Sequence, residues 1–352
     1  MSNSVIPDFE EPHRGFDPLQ FAAKYAAPIF LLLLIAVFAT LHENFLHPLN
    51  IFNVLRQVSI SGLIAIGMTF VILTAGIDLS VGSLMAFAGV VGAYVAKGGL
   101  ADRFAIGESA DAGYPLFLAV LAALAVGVVG GLIQGLVITR FRVPPFVATL
   151  GGLTSFRGAL LWFADGGPIS GFKPEYTWWG QGRVPVRLPF SDSVLVSVPV
   201  PVIIFLAAAI IAIFVLNYTR FGRYVYAVGD NAAAAALNGV PTQRILVSVY
   251  VISGFFCGLA GFLLSARLNS AEAVAGMGLE LTVIASVVIG GTSLFGGVGG
   301  VFGTLIGALL LGVLTNGLVL LNVSSFIQQV IIGIILVAAV AFDQFAASRR
   351  PG

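Results

Sequence analysis

The sequence predicts an all-α integral membrane protein of about ten transmembrane helices, some of them short or broken. Three observations predict it. Over 352 residues, 58% are hydrophobic and 9% charged, and the mean hydropathy is +1.03; a soluble domain carries about 25% charged residues. Apolar runs of roughly 17–25 residues recur along the chain, without the alternation of barrel strands. Glycines fall every fourth residue within several of these runs, the spacing that lets helix backbones approach closely inside a bilayer.

The runs, in order, are Tyr25–Leu41, Val58–Thr74, Leu79–Ala96, Pro115–Ile138, Val143–Phe163, Val198–Leu216, Ile245–Ala266, the short Leu281–Leu294, Val301–Leu320 and Phe326–Phe342. They divide the chain into an N-terminal segment (1–24), a membrane domain (25–343) and a C-terminal tail (344–352). An even number of spans puts both termini on one side. Basic residues in short loops (Arg140, Arg142, Arg220, Arg223, Arg244) and near the termini (Arg14, Arg349, Arg350) place that side in the cytoplasm. The segment 165–197, with Trp178 and Trp179, then lies outside, as do Asp102, Arg103, Glu108, Asp111 and Asp192. Its tryptophans suit either an interfacial anchor or a docking surface. Leu268–Gly278 carries no strong signal.

Loop 217–244 lies inside. Asn231 is placed to cap a short helix through Leu237, ended by Asn238 and Gly239. Gly127, Gly131 and Gly135, Gly254 and Gly258, and Gly303 and Gly307 fit helix packing within the chain, or a subunit interface.

Two glycine-rich interruptions stand out. Asp78 is the only charge between Val58 and Ala96 and sits in Ala75–Ser83 with Gly76, Ser80, Gly82 and Ser83. The carboxylate either caps the third span together with Ser80 or acts in gating. The second interruption is Gly290–Gly300, with Gly291, Thr292 and Ser293. Sliding the chain by about 215 positions aligns Gly76 with Gly291 and Leu79 with Leu294, as an internal repeat with broken helices would.

Several chemistries are excluded. Lys24, Lys97 and Lys173 lack a P-loop frame, so the chain binds no ATP through one of its own. His13, His42, His47 and the single Cys257 form no metal or nucleophile pattern, so neither a metal nor a catalytic residue is expected. A net charge of +1 offers no nucleic-acid surface. The spans hold no acid–base chain for proton relay; Arg157 is expected to snorkel outward, and Glu280 and Asp343 fall at span ends. Gln134, Asn316, Gln328 and Gln329 suit either a path for an uncharged, hydroxyl-rich solute or interhelical hydrogen bonds. Gln134 and Asn316 are the candidates for that path.

From about Leu55 to Phe342 the chain resembles the permease subunits of ribose-type monosaccharide ABC importers. The resemblance rests on Ile66-Gly67-Met68-Thr69 leading into Gly76-Ile77-Asp78-Leu79-Ser80-Val81-Gly82-Ser83, on Pro145-Phe146-Val147-Ala148-Thr149-Leu150, on Gly222-Arg223-Tyr224-Val225-Tyr226-Ala227-Val228-Gly229, and on Gly290-Gly291-Thr292-Ser293-Leu294. It implies a type II-like importer fold in a bacterial inner membrane and a second permease copy. It also implies a cytoplasmic ATPase carrying ATP and Mg, and a periplasmic sugar-binding protein. The loop holding Gly222, Arg223, Ala227, Gly229, Asp230, Asn231 and Gly239 would be the ATPase-coupling segment. Where relatives often carry charged or hydroxylated residues, Ala232–Ala236 is an alanine run, which keeps the helix but leaves Arg223, Asp230 and Asn231 as polar contacts. Alternatives are a permease for nucleosides or branched-chain amino acids, an ion-coupled secondary transporter, and a membrane enzyme or scaffold.

Overall fold

A computed structural model describes residues 18–99, 113–187 and 194–348. Residues 1–17, Arg349 and Arg350, and the loop charges Asp102, Arg103, Glu108, Asp111 and Asp192 lie outside the described residues. Each apolar run becomes a helix: α1 (Pro18–Leu41), α2 (Pro48–Leu73), α3 (Val81–Ala96), α4 (Leu116–Arg140), α5 (Pro145–Ala164), α7 (Val200–Tyr218), α9 (Thr242–Leu268), α10 (Leu279–Ile289), α11 (Val301–Leu320) and α12 (Ser325–Ser348). Among the described residues, α2, α4, α5, α7, α9 and α11 are long and apolar enough to span a bilayer, and the other four hold shorter apolar stretches. Two further helices, α6 (Pro174–Gln181) and α8 (Arg220–Leu237), lie in the loops.

Helix ends differ from expectation for local reasons. Pro48 starts α2 ten residues before Val58, since proline suits a first helical turn. The apolar run to Leu294 does not make α10 longer; the helix stops at Ile289, where Gly290 caps it and Gly291 takes φ +90°. At the C-terminal end α12 runs on to Ser348, past Asp343.

Close backbone contact organises the packing. A methyl on Gly127 would strike the Gly254 carbonyl, one on Gly131 the Tyr250 carbonyl, and one on Gly258 the Ala123 carbonyl. The fourfold spacing in α4 therefore seats it along α9, inside the chain. Gly303 and Gly307 likewise seat α11 on α10 at Gly290 and Ser286. Polar pairs fix the register of α2 on α11. The Thr69 and Thr304 hydroxyls lie 2.7 Å apart, and Asn50 and Asn316 exchange two amide hydrogen bonds of 2.9 Å. Such bonds are worth about 0.6 kcal/mol on average in a membrane, enough to choose a register.

At one end of the bundle, β1 (Ile169–Ser170) pairs antiparallel with β4 (Ser270–Ala271), and β2 (Arg183–Arg187) pairs with β3 (Val194–Pro199). Lys97 Nζ donates to the Gly171 carbonyl at 2.9 Å, tying the α3 end to the same layer. The segment 268–278, silent in the sequence, thus completes a small sheet. Helix alternation places α8 and both glycine-rich interruptions at the opposite end.

Candidate functional site

The site is a junction between α8 and the two interruptions, the first hinge (Ala75–Ser83) and the second hinge (Gly290–Gly300). Thr219 caps α8 by accepting from the Gly222 amide at 3.2 Å, and Gly222 permits a sharp turn against the Leu216 backbone. Val225, Val228 and Gly229 form the buried stripe of the first half, and Phe70 receives Phe221 with ring centroids 6.3 Å apart. The helix breaks at Asn231 (φ −154°, ψ 99°), whose Oδ1 accepts from the Ala234 amide at 2.9 Å. This is the N-cap that the sequence predicts, and Gly239 at φ +80° ends the helix. The second half stands clear of the bundle: its alanines are exposed except Ala235, and Leu237 is 90% exposed.

The first hinge begins with a Schellman ending, in which Gly76 N–H donates to the Val71 carbonyl and Ala75 (φ +58°) to that of Ile72. The Asp78 carboxylate, 1% exposed, then accepts three hydrogen bonds. Oδ1 takes the Ser80 amide (2.9 Å) and hydroxyl (2.7 Å), and Oδ2 takes the Ser253 hydroxyl of α9 (3.1 Å). Capping of α3 is therefore not its role. No side chain accepts from a first-turn amide of α3, and the helix starts at Val81, not Leu79. The carboxylate instead folds the hinge on itself and straps it to α9, eleven residues from that helix's start. Ile77 adds two straps, its carbonyl accepting from Thr149 of α5 (3.2 Å) and Tyr250 of α9 (3.4 Å). Ser83 Oγ donates to Ser80 O, and Gly82 leaves room for the Gly276 carbonyl and the Glu280 carboxylate.

The second hinge has the same start: Thr292 N–H donates to Val287 O and Gly291 N–H to Val288 O. Ala75 thus corresponds to Gly291 and Gly76 to Thr292, one position further than the alignment predicted. The endings of α8 and α11 share this pattern, so the match is that of a common helix ending. Beyond it the loop closes on itself through Ser293 N–H to Val298 O (2.9 Å) and Gly300 N–H to Thr292 Oγ1 (3.3 Å).

The three parts meet at Gly229. Its Cα lies against the Leu73 carbonyl and the Gly297 amide, and that amide donates to Leu73 O at 3.0 Å. Gly296 packs on Gly229 O and Ala75, and Gly297 on Asp230. Tyr226 Oη donates to Gly299 O at 2.9 Å, and burial pushes its hydroxyl pKa up, which keeps the donor protonated. A cleft of about 480 Å³ opens beside this bond, lined by Asn217, Tyr226, Gly299 and Phe302 among others. Gly229 of α8 therefore touches both the last residue of α2, just before the first hinge, and the second hinge.

The structure brings Gly229 and Asp230 against Gly296 and Gly297, with Ala75 alongside, while Gly76, Asp78 and Ser80 are held within the first hinge against α9. Arg223, Ala227, Asn231 and Gly239 shape or decorate α8 away from the hinges. Gln134 is buried, its amide against Gly152 and beside Ser80, with Nε2 unpartnered. Asn316 has the interhelical partner Asn50, and Gln328 donates to Val323 O. Arg157 does not snorkel; Nη1 turns inward to the carbonyls of Ala273 (2.7 Å) and Ala275 (2.9 Å). Sequence reasoning missed Leu73, Tyr226, Tyr250, Ser253 and Gly297 as junction residues. Ser253 alone left a trace, as a hydroxyl in the apolar middle of α9.

Residues 50–340 match the family described as "Branched-chain amino acid transport system / permease component". The ribose import permease protein RbsC of Escherichia coli (strain K12) is 42% identical over 319 residues, covering 90% of this chain and 92% of that protein. RbsC of Bacillus subtilis (strain 168) is 43% identical over 314 residues, 89% of this chain and 90% of that one. The D-allose transport system permease protein AlsC of Escherichia coli (strain K12) is 37% identical over 331 residues, 93% and 94% of the two chains. No solved structure matches the chain.

Proposed function

The chain belongs to this family of membrane transport permeases, and on that premise we propose that it is the membrane-spanning subunit of an ATP-driven importer for a monosaccharide or similar polyol. The observation that carries the mechanism is the junction at Gly229, where one helix touches both hinges. A separate cytoplasmic ATPase, holding ATP and Mg, docks on the exposed second half of α8 around Leu237. Its closure moves α8, and Gly229 passes the motion to the hinges, which reorient the spans. A periplasmic binding protein delivers the sugar at the α6 end, and both termini face the cytoplasm of a bacterial inner membrane.

A second copy of the chain completes the path. The face of α5 carrying Gly151, Thr154, Ser155 and Gly158 is exposed, with open space beyond both glycines. That face supports a partner subunit opposite it, with hydroxyls between them for an uncharged solute. The family description keeps a branched-chain amino acid as the second reading.

The test is uptake into proteoliposomes holding the chain, a cognate ABC ATPase and a sugar-binding protein. ATP-dependent accumulation of labelled ribose or allose, uncompeted by leucine, is expected. Uptake that follows a sodium or proton gradient without the ATPase refutes the reading.

A further inference from the structure

Among the described residues, three arginines gather at the α6 end of the bundle without a carboxylate among them. Arg56 lies on α2 eleven residues before Gly67, three helical turns along the same face, and Gly67 packs on Ser253 of α9. Arg56 therefore faces the end of α9, where Arg267 occupies the last turn. Arg183 opens β2 and lies over the Phe52 ring, 5.8 Å from its centroid and one turn from Arg56. The end of α6 locks this geometry: Gln181 Nε2 donates to Arg267 O at 2.9 Å, and Gly180 lies against the Arg267 backbone.

The electrostatics within the cluster are repulsive, between Arg56 and Arg183 and between Arg267 and Arg56. Among the described residues none of the three is paired with an acid, and Arg56 Nε is buried with no acceptor. A buried, unmatched charged donor is costly, and adjacent like charges add to the cost. Guanidinium forks match a phosphate bidentately, so one phosphate would satisfy the orphan donor and cancel the repulsion.

The surroundings indicate the source of that phosphate. Trp178, half-exposed, lies against Gly182, the residue before Arg183, and Val184 and Val186 are exposed beside it. On the first turn of α2, Leu49 and Ile51 are exposed as well. The cluster sits where α9 ends and α7 begins, the headgroup level that tryptophan favours. A cationic centre with an aliphatic and indole rim suits a headgroup with its acyl chains, whereas a protein carboxylate would be met by a polar rim. We propose that Arg56, Arg183 and Arg267 bind the phosphate of an anionic phospholipid in the leaflet at this end of the bundle.

The test uses the purified full chain, delipidated in neutral detergent and reloaded with phosphatidylglycerol, phosphatidylcholine or inorganic phosphate. Native mass spectrometry reads retained lipid and a thermal melt reads Tm. Phosphatidylglycerol is expected to be retained and to raise Tm, with the other two ineffective. Arg183→Gln, at an exposed position, is expected to lower retention about tenfold. Without lipid the same variant should melt close to the wild type, since the repulsion it relieves offsets the Phe52 contact it loses. Equal retention of phosphatidylcholine or equal retention by the variant overturns the proposal. An equal shift with inorganic phosphate assigns the cluster to a free anion and overturns the lipid. Loss of binding-protein stimulation in Arg183→Gln with unchanged lipid retention overturns it in favour of a protein carboxylate.

Discussion

The two hinges start with the same helix ending and then diverge. In the first, a buried carboxylate and the Ile77 carbonyl together accept from Ser80, Thr149, Tyr250 and Ser253, fastening the loop to α5 and α9. The second closes on itself through its own backbone, reaches out through Gly297 to Leu73 and receives Tyr226 at Gly299. Its Phe295 and Val298 are exposed, while Asp78 and Ser80 are buried. We read the first as an anchor and the second as a moving part, with Gly229 of α8 against Leu73 at the edge of one and Gly297 within the other.

The comparison can be broken at its shared point first. Gly229→Ala drives a methyl into the Leu73 carbonyl and the Gly297 amide, both backbone, so neither hinge can yield cheaply. A cost of about 1–3 kcal/mol or more is expected, with uptake and its coupling to ATP hydrolysis both lost in proteoliposomes. Uptake and ATPase activity at wild-type levels would remove Gly229 from the mechanism.

Asp78→Leu attacks the anchor alone. It orphans the Ser80 amide and hydroxyl and the Ser253 hydroxyl, at about 1–3 kcal/mol for each donor that finds no substitute, so a large fall in Tm and in membrane yield is expected. Asp78→Asn keeps an acceptor for Ser80 and supplies a donor to Ser253, and should retain most of both. If the two variants melt alike, the strap is not what holds the hinge.

Tyr226→Phe tests the moving part. Removing one hydrogen bond should cost about 0.5–1.5 kcal/mol, slowing transport several-fold with little change in Tm. A drop in Tm as large as that of Asp78→Leu would erase the distinction between the hinges. The smallest effect belongs to Asn316→Ala, remote from both: about 0.6 kcal/mol for each bond lost with Asn50. Transport by that variant should match wild type; a specific transport defect at unchanged Tm would instead place Asn316 on the solute path.

The helices were legible because an apolar run long enough for a bilayer has few other fates. The cap at Asn231 was legible too, since capping is local in sequence. Apolarity does not mark where a helix stops, which is why Leu294 looked like part of α10 although Gly290 and Gly291 had already turned the chain. The strap on Asp78 could not be read: Ser253 is 175 positions away, and nothing in α9 distinguishes a hydroxyl that receives a distant carboxylate from one that bonds its own helix. Arg157 misled for a similar reason, because its carbonyl partners belong to a loop without a pattern of its own.

The seam between α4 and α9 has a mechanical consequence. Where two helices touch backbone to backbone, no side chains are left to change rotamer and let them slide, so the pair acts as a single stiff beam from one face of the bundle to the other. The short α10, by contrast, has eleven residues between two glycine joints, a segment that bends more readily than that beam.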